Sequence, residues 1–480
     1  MQSNTPLYSK LLQFQSEHNV SFHVPGHKNG LLNTMDDYRW RRNLLEFDVT
    51  ELTNLDDLHS PTGVIAEAEL LLSTFYKVKK SFFLVNGSTV GNLAMILATV
   101  KEGEGVFVQR NSHKSIMNGI KLAKGNPIML QAEYEEDWKI ETVLSIDILQ
   151  KAINKYPDVK TLIITSPNYY GMVGDIDGII KLAHQYGICV LVDEAHGAHF
   201  KGSTIFPQSA VDCGADIVVQ SAHKTLPALT MGAYLHYNTD KVKQESVKKY
   251  LEMLQSSSPS YLIMASLDKA RHFLATYQRE DEVYLMDKIN YFRSELKKIP
   301  QLEVLEYPVN GDPLKITIQS RCLYSGIEIQ QKLEEEGIYT ELADSHNILL
   351  VFPLLKRDMS YPLEKTVNVI RKVLSNSSAI KSSLNKLQDA IKKETNIVEL
   401  KLSEKEQANL EKVSVFLDDA VHSICAEEVI PYPPGVPILM SGEEITSYHI
   451  SQLKRLIHDG AKFQGNKSIY QGKIIIYKYK

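Results

Sequence analysis

From about residue 81 to residue 225 the chain repeats one pattern: a short apolar run, a small polar turn, then apolar residues at helical spacing. Ser81-Phe82-Phe83-Leu84-Val85, Gly105-Val106-Phe107-Val108, Thr161-Leu162-Ile163-Ile164, Ile188-Cys189-Val190-Leu191-Val192 and Ala215-Asp216-Ile217-Val218-Val219-Gln220 read as buried strands. They are short, rich in β-branched residues and closed by turn formers. Apolar strands separated by helices predict an α/β fold, a mostly parallel sheet with helices on both faces. Open sheets of this kind bind ligands along the carboxyl ends of their strands. Here those ends carry Ser88, His113, Ser166, Asp193 and Lys224.

Each of these residues, taken alone, has an ordinary explanation. A strand-end lysine reaches solvent more often than it is buried. The sharper reading of Lys224 is a Schiff-base lysine, whose amine is activated when burial and nearby cations lower its pKa. Asn86-Gly87-Ser88-Thr89 joins a strand to a helix carrying Val90, Leu93, Ala94 and Leu97, with Ser88 or Thr89 expected as N-cap. Free N–H groups at such a turn cradle anions. Asp193-Glu194-Ala195-His196 reads literally as a DEAH box. An ATPase would need an upstream Gly-x4-Gly-Lys-Ser/Thr loop, which the chain lacks; Gly460 to Gly465 lies downstream and is followed by an inserted Asn466. His196 and His199 could begin a metal site, but no third ligand is evident and no metal is expected.

Composition narrows the class. The 480 residues suffice for two or three domains. A formal net charge of -5 argues against a nucleic-acid binder. Cys189, Cys213, Cys322 and Cys425 form no CxxC pair, which suits a reducing compartment. No apolar run approaches 18 residues and the amino terminus lacks a signal pattern, so a cytoplasmic protein without membrane attachment is expected.

Ser221-Ala222-His223-Lys224-Thr225-Leu226-Pro227-Ala228-Leu229-Thr230 resembles the cofactor-lysine segment of the bacterial ornithine/lysine/arginine decarboxylases. The resemblance extends to Pro25-Gly26-His27-Lys28, Asp48 to Pro61, Ser256 to Tyr261 and Ile430 to Pro437. Two departures are Met231, where the family often has glutamine, and Asn168, where it often has threonine. The resemblance implies the aminotransferase-like fold type I, with pyridoxal 5'-phosphate held by Lys224. By the same resemblance Gly87, Ser88 and Thr89 bind its phosphate, His113 lies on its ring, Asp193 faces its pyridine nitrogen, and Ser166, His196, Ser221 and His223 line the site. Lys224, His223 or His196 would return a proton to Cα.

The remaining texture predicts an amphipathic helix at 7–19 with Leu7, Leu11, Leu12 and Phe14 apolar, helix over 262–297, and a smaller α+β unit after it. Expected domains are an N-terminal segment (1–60), a large cofactor domain (61–255), a small α+β domain (256–376) and a C-terminal domain (377–480). Ser256 to Tyr261 reads by composition as a flexible linker. In the family a similar segment sits near a neighbouring subunit's cofactor, and the Pro-Gly-His-Lys loop is expected to act likewise, in a homodimer or higher even oligomer. The family's substrates are basic amino acids. The short form resembles arginine decarboxylases, which implies L-arginine going to agmatine and carbon dioxide, with lysine or ornithine as alternatives. A cationic substrate end calls for a carboxylate; Asp48 to Asp57 and Glu427/Glu428 are the candidates, although charge alone favours a solvated loop for the first. A fold-related aminotransferase or lyase, with Arg321 gripping a carboxylate, and a non-catalytic relative remain as other readings.

Overall fold

A computed structural model describes residues 5–32, 44–308, 310–379, 396–431, 436–458, 460–465 and 467–478. The apolar runs assemble into one eight-stranded sheet in the order Ile397–Glu399, Asn126–Leu130, Gly105–Gln109, Thr161–Thr165, Cys189–Asp193, Ile217–Gln220, Ala233–Tyr237, Lys80–Leu84. The five strands from Asn126–Leu130 to Ile217–Gln220 are mutually parallel; Ile397–Glu399 and Ala233–Tyr237 are antiparallel to their neighbours. Both faces are covered, which is why the runs are apolar throughout rather than alternating. Leu162, Ile164, Val190 and Val192 point into one core, packed with Leu149, Ile153, Ile179 and Ile180 of helices Ile146–Lys155 and Ile176–Gln185. Ile163 and Leu191 point into the other, with Ala94, Met95, Ile116 and Ile120. Register pairs Thr165 with Asp193 and Asp193 with Val219, so the strands end level along one edge.

A second, antiparallel sheet runs Leu302–Val304, Lys315–Ser320, Asn347–Val351, Leu342–Ala343. Beside it the N-terminal strand Val20–Phe22 pairs in parallel with Ile338–Thr340. The C-terminal part has its own core, with Leu417, Cys425, Leu439, Ile445 and Ile474 around the paired strands Glu411–Phe416 and Lys473–Lys478. It also contributes the edge strand Ile397–Glu399 to the main sheet.

Several local expectations are corrected. The first helix spans Pro6–Ser16, and none of its residues is buried; Leu7, Leu11 and Leu12 are exposed, while Phe14 meets Tyr339 edge-on. The expected helix over 262–297 is two, Tyr261–Ala275 and Arg279–Lys297. The Ser-rich stretch before them is docked: Ser260 accepts from the Ile263 N–H as N-cap, His59 Nε2 meets the Ser256 carbonyl at 2.8 Å, and the Tyr261 hydroxyl donates to the Asp56 carbonyl. Neither Ser88 nor Thr89 caps the helix Gly87–Thr99. Gly87, at φ +79°, turns the chain directly after Asn86, and both hydroxyl residues fall inside the first turn. Residues 432–435 of the proline-rich run and Asn466 lie outside the described residues.

Candidate active site

Lys224 sits on the single helical turn Ala222–Thr225 that follows strand Ile217–Gln220. The Pro25-Gly26 turn presses on it. The Gly26 N–H donates to the His223 carbonyl at 2.7 Å, and a Cβ on Gly26 would lie 2.4 Å from the Leu226 carbonyl oxygen. Only glycine permits this approach. The Pro-Gly-His-Lys loop, expected to complete a neighbour's site, thus braces its own chain's lysine turn. Lys28 anchors it, fully buried, with Nζ donating to the carbonyls of His23 (2.7 Å) and Val351 (2.9 Å). Burial lowers its amine to about 7, against the pull of Glu341.

A cavity of about 230 Å³ lies against this turn and is lined by Ser88, His113, Asp193, His196 and Lys224, with Thr165, Asn168, Tyr169, Glu141 and Val436. Five of the expected residues therefore meet there. Gly87 and Thr89 flank Ser88 on the same turn. Ser166, Ser221 and His223 are not among the lining residues: Ser166 N–H donates to the Asp193 carbonyl, and the Ser221 hydroxyl is buried without a hydrogen-bond partner among the described residues. Gly87 N–H donates to the Met231 carbonyl at 2.8 Å. Met231, at φ +77° with an exposed side chain, thus contributes through its backbone. Asn168 accepts from Met172 N–H and donates to the Thr142 carbonyl, fixing the turn after Thr165.

Asp193 is buried and held from two sides, by Asn92 Nδ2 at 2.9 Å and by the Ala195 N–H at 3.1 Å. His113 accepts from the Ser115 N–H. Burial lowers its imidazole pKa, opposed by Asp193 and aided by Lys224. Burial likewise lowers Lys224, against Asp193 and Glu341. His223 is pushed down to about 4, chiefly by burial, while a bond from its Nδ1 to the Gly232 carbonyl resists. His196 bridges two amines: Nε2 lies 3.0 Å from Lys224 Nζ and Nδ1 lies 2.9 Å from Lys315 Nζ. Tyr169 packs its ring against His196 and donates its hydroxyl to Glu341. His199, the other half of the supposed metal pair, is instead tied to Asp312, and no group of three or more metal-ligand side chains exists among the described residues.

None of the acidic residues of Asp48 to Asp57, nor Glu427 or Glu428, lines this cavity within one chain. The Asp56 carboxylate accepts from the N–H groups of Thr62, Gly63, Ile65 and Ala66, holding the start of helix Val64–Tyr76. Glu427 accepts from the Ile475 N–H inside the C-terminal part. Arg321 is paired with Glu303 and is not in the cavity wall. The carboxylates that line the cavity are Asp193 and Glu141. Glu141, Tyr169, Asn92, Lys315 and Glu341 were not assigned roles from sequence. Asn92 inside an apolar helix and Lys315 inside an apolar strand run were the available signals, since polar residues there need buried partners.

The C-terminal part closes the cavity through Val436. Arg110, buried just past strand Gly105–Gln109, donates to the carbonyls of Pro437 and Ile438 and to Glu443, each at 2.8–2.9 Å.

Comparisons with known proteins bear on the family and the fold. The family model "Orn/Lys/Arg decarboxylase, major domain" matches residues 5–316, and "Orn/Lys/Arg decarboxylase, C-terminal domain" matches 386–476. The chain is 42% identical to the uncharacterized protein YaaO of Bacillus subtilis over 99% of this chain and 98% of the relative. It is 32% identical to arginine decarboxylase of B. subtilis, covering 97% and 96%. Among solved structures, the constitutive lysine decarboxylase of E. coli superposes with a TM-score of 0.73 at 18% identity, covering 99% of this chain and 82% of that one. A serine palmitoyltransferase from Sphingomonas wittichii gives 0.57 at 15% identity, covering 74% and 86%. These two show the fold.

Arg110→Met should leave Glu443 buried without its cation, which typically costs about 3–5 kcal/mol. Chemical denaturation should show the C-terminal part losing stability by that order; an unchanged transition would mean that the pair does not hold Val436 in place.

Proposed function

The chain belongs to the Orn/Lys/Arg decarboxylase family and is a carboxy-lyase, and from that premise we propose that it uses pyridoxal 5'-phosphate to convert L-arginine to agmatine and carbon dioxide in the cytoplasm. The carrying observation is the meeting of Lys224, Asp193, His113 and the 87–89 turn around one cavity at one sheet edge. The relatives named arginine decarboxylase support the choice of arginine.

The residues fit such a cofactor. A phosphate finds the amino end of the 13-residue helix Gly87–Thr99, where Ser88 and Thr89 offer N–H groups in the first turn. The buried Ser221 hydroxyl, lacking a partner among the described residues, is a further donor that the cofactor could use. Asp193 would be the fixed anion facing the cofactor's ring nitrogen, and Lys224 would be the amine that holds its aldehyde carbon. Bound there, the cofactor supplies a ring that accepts the electron pair left when the substrate carboxylate departs.

The protein's own groups do the rest. Asn92 and the Ala195 N–H fix the Asp193 carboxylate so that its charge needs no rearrangement during reaction. After carbon dioxide leaves, a proton must reach Cα. Burial holds His223 low, its Nδ1–H is engaged by the Gly232 carbonyl and its Nε2 is a lone pair, so it presents no N–H elsewhere. Lys224, in the cavity wall, is the donor this arrangement favours.

Among the described wall residues the carboxylates are Asp193 and Glu141; with Asp193 assigned to the ring, Glu141 is the candidate to face the substrate's distal cation. It stands where the cavity meets a second one of about 250 Å³, the two sharing Ile140, Glu141 and Val436. Among the described residues no helix is long and apolar enough to cross a membrane. The exposed Leu7, Leu11, Leu12, Leu45, Leu52 and Leu70 support burial of the N-terminal region against a second copy, in a homodimer or higher even oligomer.

Incubating holoenzyme separately with arginine, lysine and ornithine should release carbon dioxide and agmatine from arginine alone; cadaverine or putrescine as main product overturns the substrate choice. Glu141→Gln should raise KM for arginine, since a charge-assisted bond is worth about 1.5–3 kcal/mol; an unchanged KM removes Glu141 from recognition. Light scattering should find no active monomer, and finding one would refute the oligomer.

A further inference from the structure

His113 is held by a network that the chemistry above does not use. It is the N-cap of helix Lys114–Leu122, and its Nδ1 accepts from the Ser115 N–H at 3.2 Å. The Ser115 hydroxyl lies 2.9 Å from the same Nδ1. On its other side that hydroxyl lies 3.0 Å from Asn92 Nδ2, and Asn92 Nδ2 lies 2.9 Å from Asp193 Oδ2. Ser115, Asn92 and Asp193 are each at most 2% exposed, so these groups must satisfy one another rather than bulk water. One line of side chains thus runs from the end of strand Cys189–Asp193, through helix Gly87–Thr99, to the cap of helix Lys114–Leu122.

The direction of every bond in this line follows from what each group can donate. A backbone N–H only donates, so the Ser115 N–H must meet a lone pair on Nδ1. That N–H stands in the first turn of its helix, where no earlier helical carbonyl serves it. Asp193, as a carboxylate, only accepts. Asn92 must therefore present its amide nitrogen, and its two N–H bonds go to Asp193 and Ser115. The Ser115 oxygen receives one of them, so its own hydrogen turns to His113 Nδ1. The ring proton is left on Nε2, which makes no hydrogen bond among the described residues.

We infer that Ser115 is a positioning residue: oriented by Asp193 through Asn92, it fixes His113 as the neutral Nε2–H tautomer. His113 lines the cavity, so what it offers a molecule bound there is one N–H and its ring face, with no free lone pair. It cannot take a proton from a substrate's Cα. That consequence rests on the functional reading above, in which loss of a Cα proton would compete with loss of the carboxylate; the tautomer itself rests on the network alone. Protonating the ring would set an Nδ1–H against the Ser115 N–H. Burial opposes that protonation most, Asp193 favours it, and Lys224 and Lys114 oppose it. Lys114 donates to Gln464, and His196, a second ring lining the cavity, is itself held low by burial.

The test is nitrogen-15 NMR of the histidine rings in cofactor-free protein, with His113 assigned by its loss in His113→Gln. At about pH 7.5, above the ordinary histidine range, the wild type should show His113 as the Nε2–H tautomer. The Nδ1–H tautomer, or a doubly protonated ring, overturns the inference. In Ser115→Ala the hydroxyl donor is gone and only the backbone N–H still opposes an Nδ1–H. Titrated from about pH 8 to about pH 5, its His113 should take up a proton about one pH unit higher than the wild type, with the Nδ1–H tautomer now populated. Ser115→Thr keeps the hydroxyl and should restore the wild-type shifts. An alanine variant whose tautomer and titration both match the wild type overturns the inference, since a residue that only packs would change stability and leave the ring shifts alone. If the alanine variant does not fold, the wild-type tautomer decides. Uptake of pyridoxal phosphate by the wild type, followed by absorbance, is scored separately: its failure would end the functional reading, while the ring shifts still decide the tautomer.

Discussion

Lys224 is half-buried at the end of a strand, and an amine drawn largely out of water favours its uncharged form. Much of the surrounding architecture follows from keeping it there. The Gly26 turn braces its helical turn from the N-terminal segment, the parallel strands bring Asp193 level with it, and His196 contacts its nitrogen. A lysine with this much buried contact is not a surface residue that happens to follow a strand. Its position is set by three separate parts of the chain.

The small sheet and the C-terminal part are more than appendages to the main sheet. Lys315 and Glu341 reach the site from the first, through His196 and Tyr169. Val436 reaches it from the second, held by the buried Arg110 clamp. The N-terminal strand Val20–Phe22 is paired with Ile338–Thr340, its following turn presses on the lysine segment, and Lys28 of that turn donates to the Val351 carbonyl of the small sheet. A cavity walled from several parts of the chain excludes water better than an open sheet edge, and electrostatic contacts inside it are correspondingly stronger.

What was legible in the sequence follows one rule. Ser88, His113, Asp193 and Lys224 could be placed because strand periodicity and turn chemistry are local, and the sheet aligns the ends of its strands. The carboxylates could not. Asp56 and Glu427 looked available because sequence shows charge but not the backbone N–H groups that occupy it. Glu141 lies on a two-residue strand with no periodicity to mark it, and Glu341 lies more than a hundred residues from the lysine it faces. The exposed leucines of Pro6–Ser16 showed the correct spacing for a helix, but spacing does not say what covers the apolar face.

The most direct test of the account is to reduce the holoenzyme with borohydride, digest it and map the modified peptide by mass spectrometry. The account predicts a pyridoxyl group on Lys224 and on no other lysine. Label on Lys315, Lys28 or a surface lysine, with Lys224 unmodified, would contradict it.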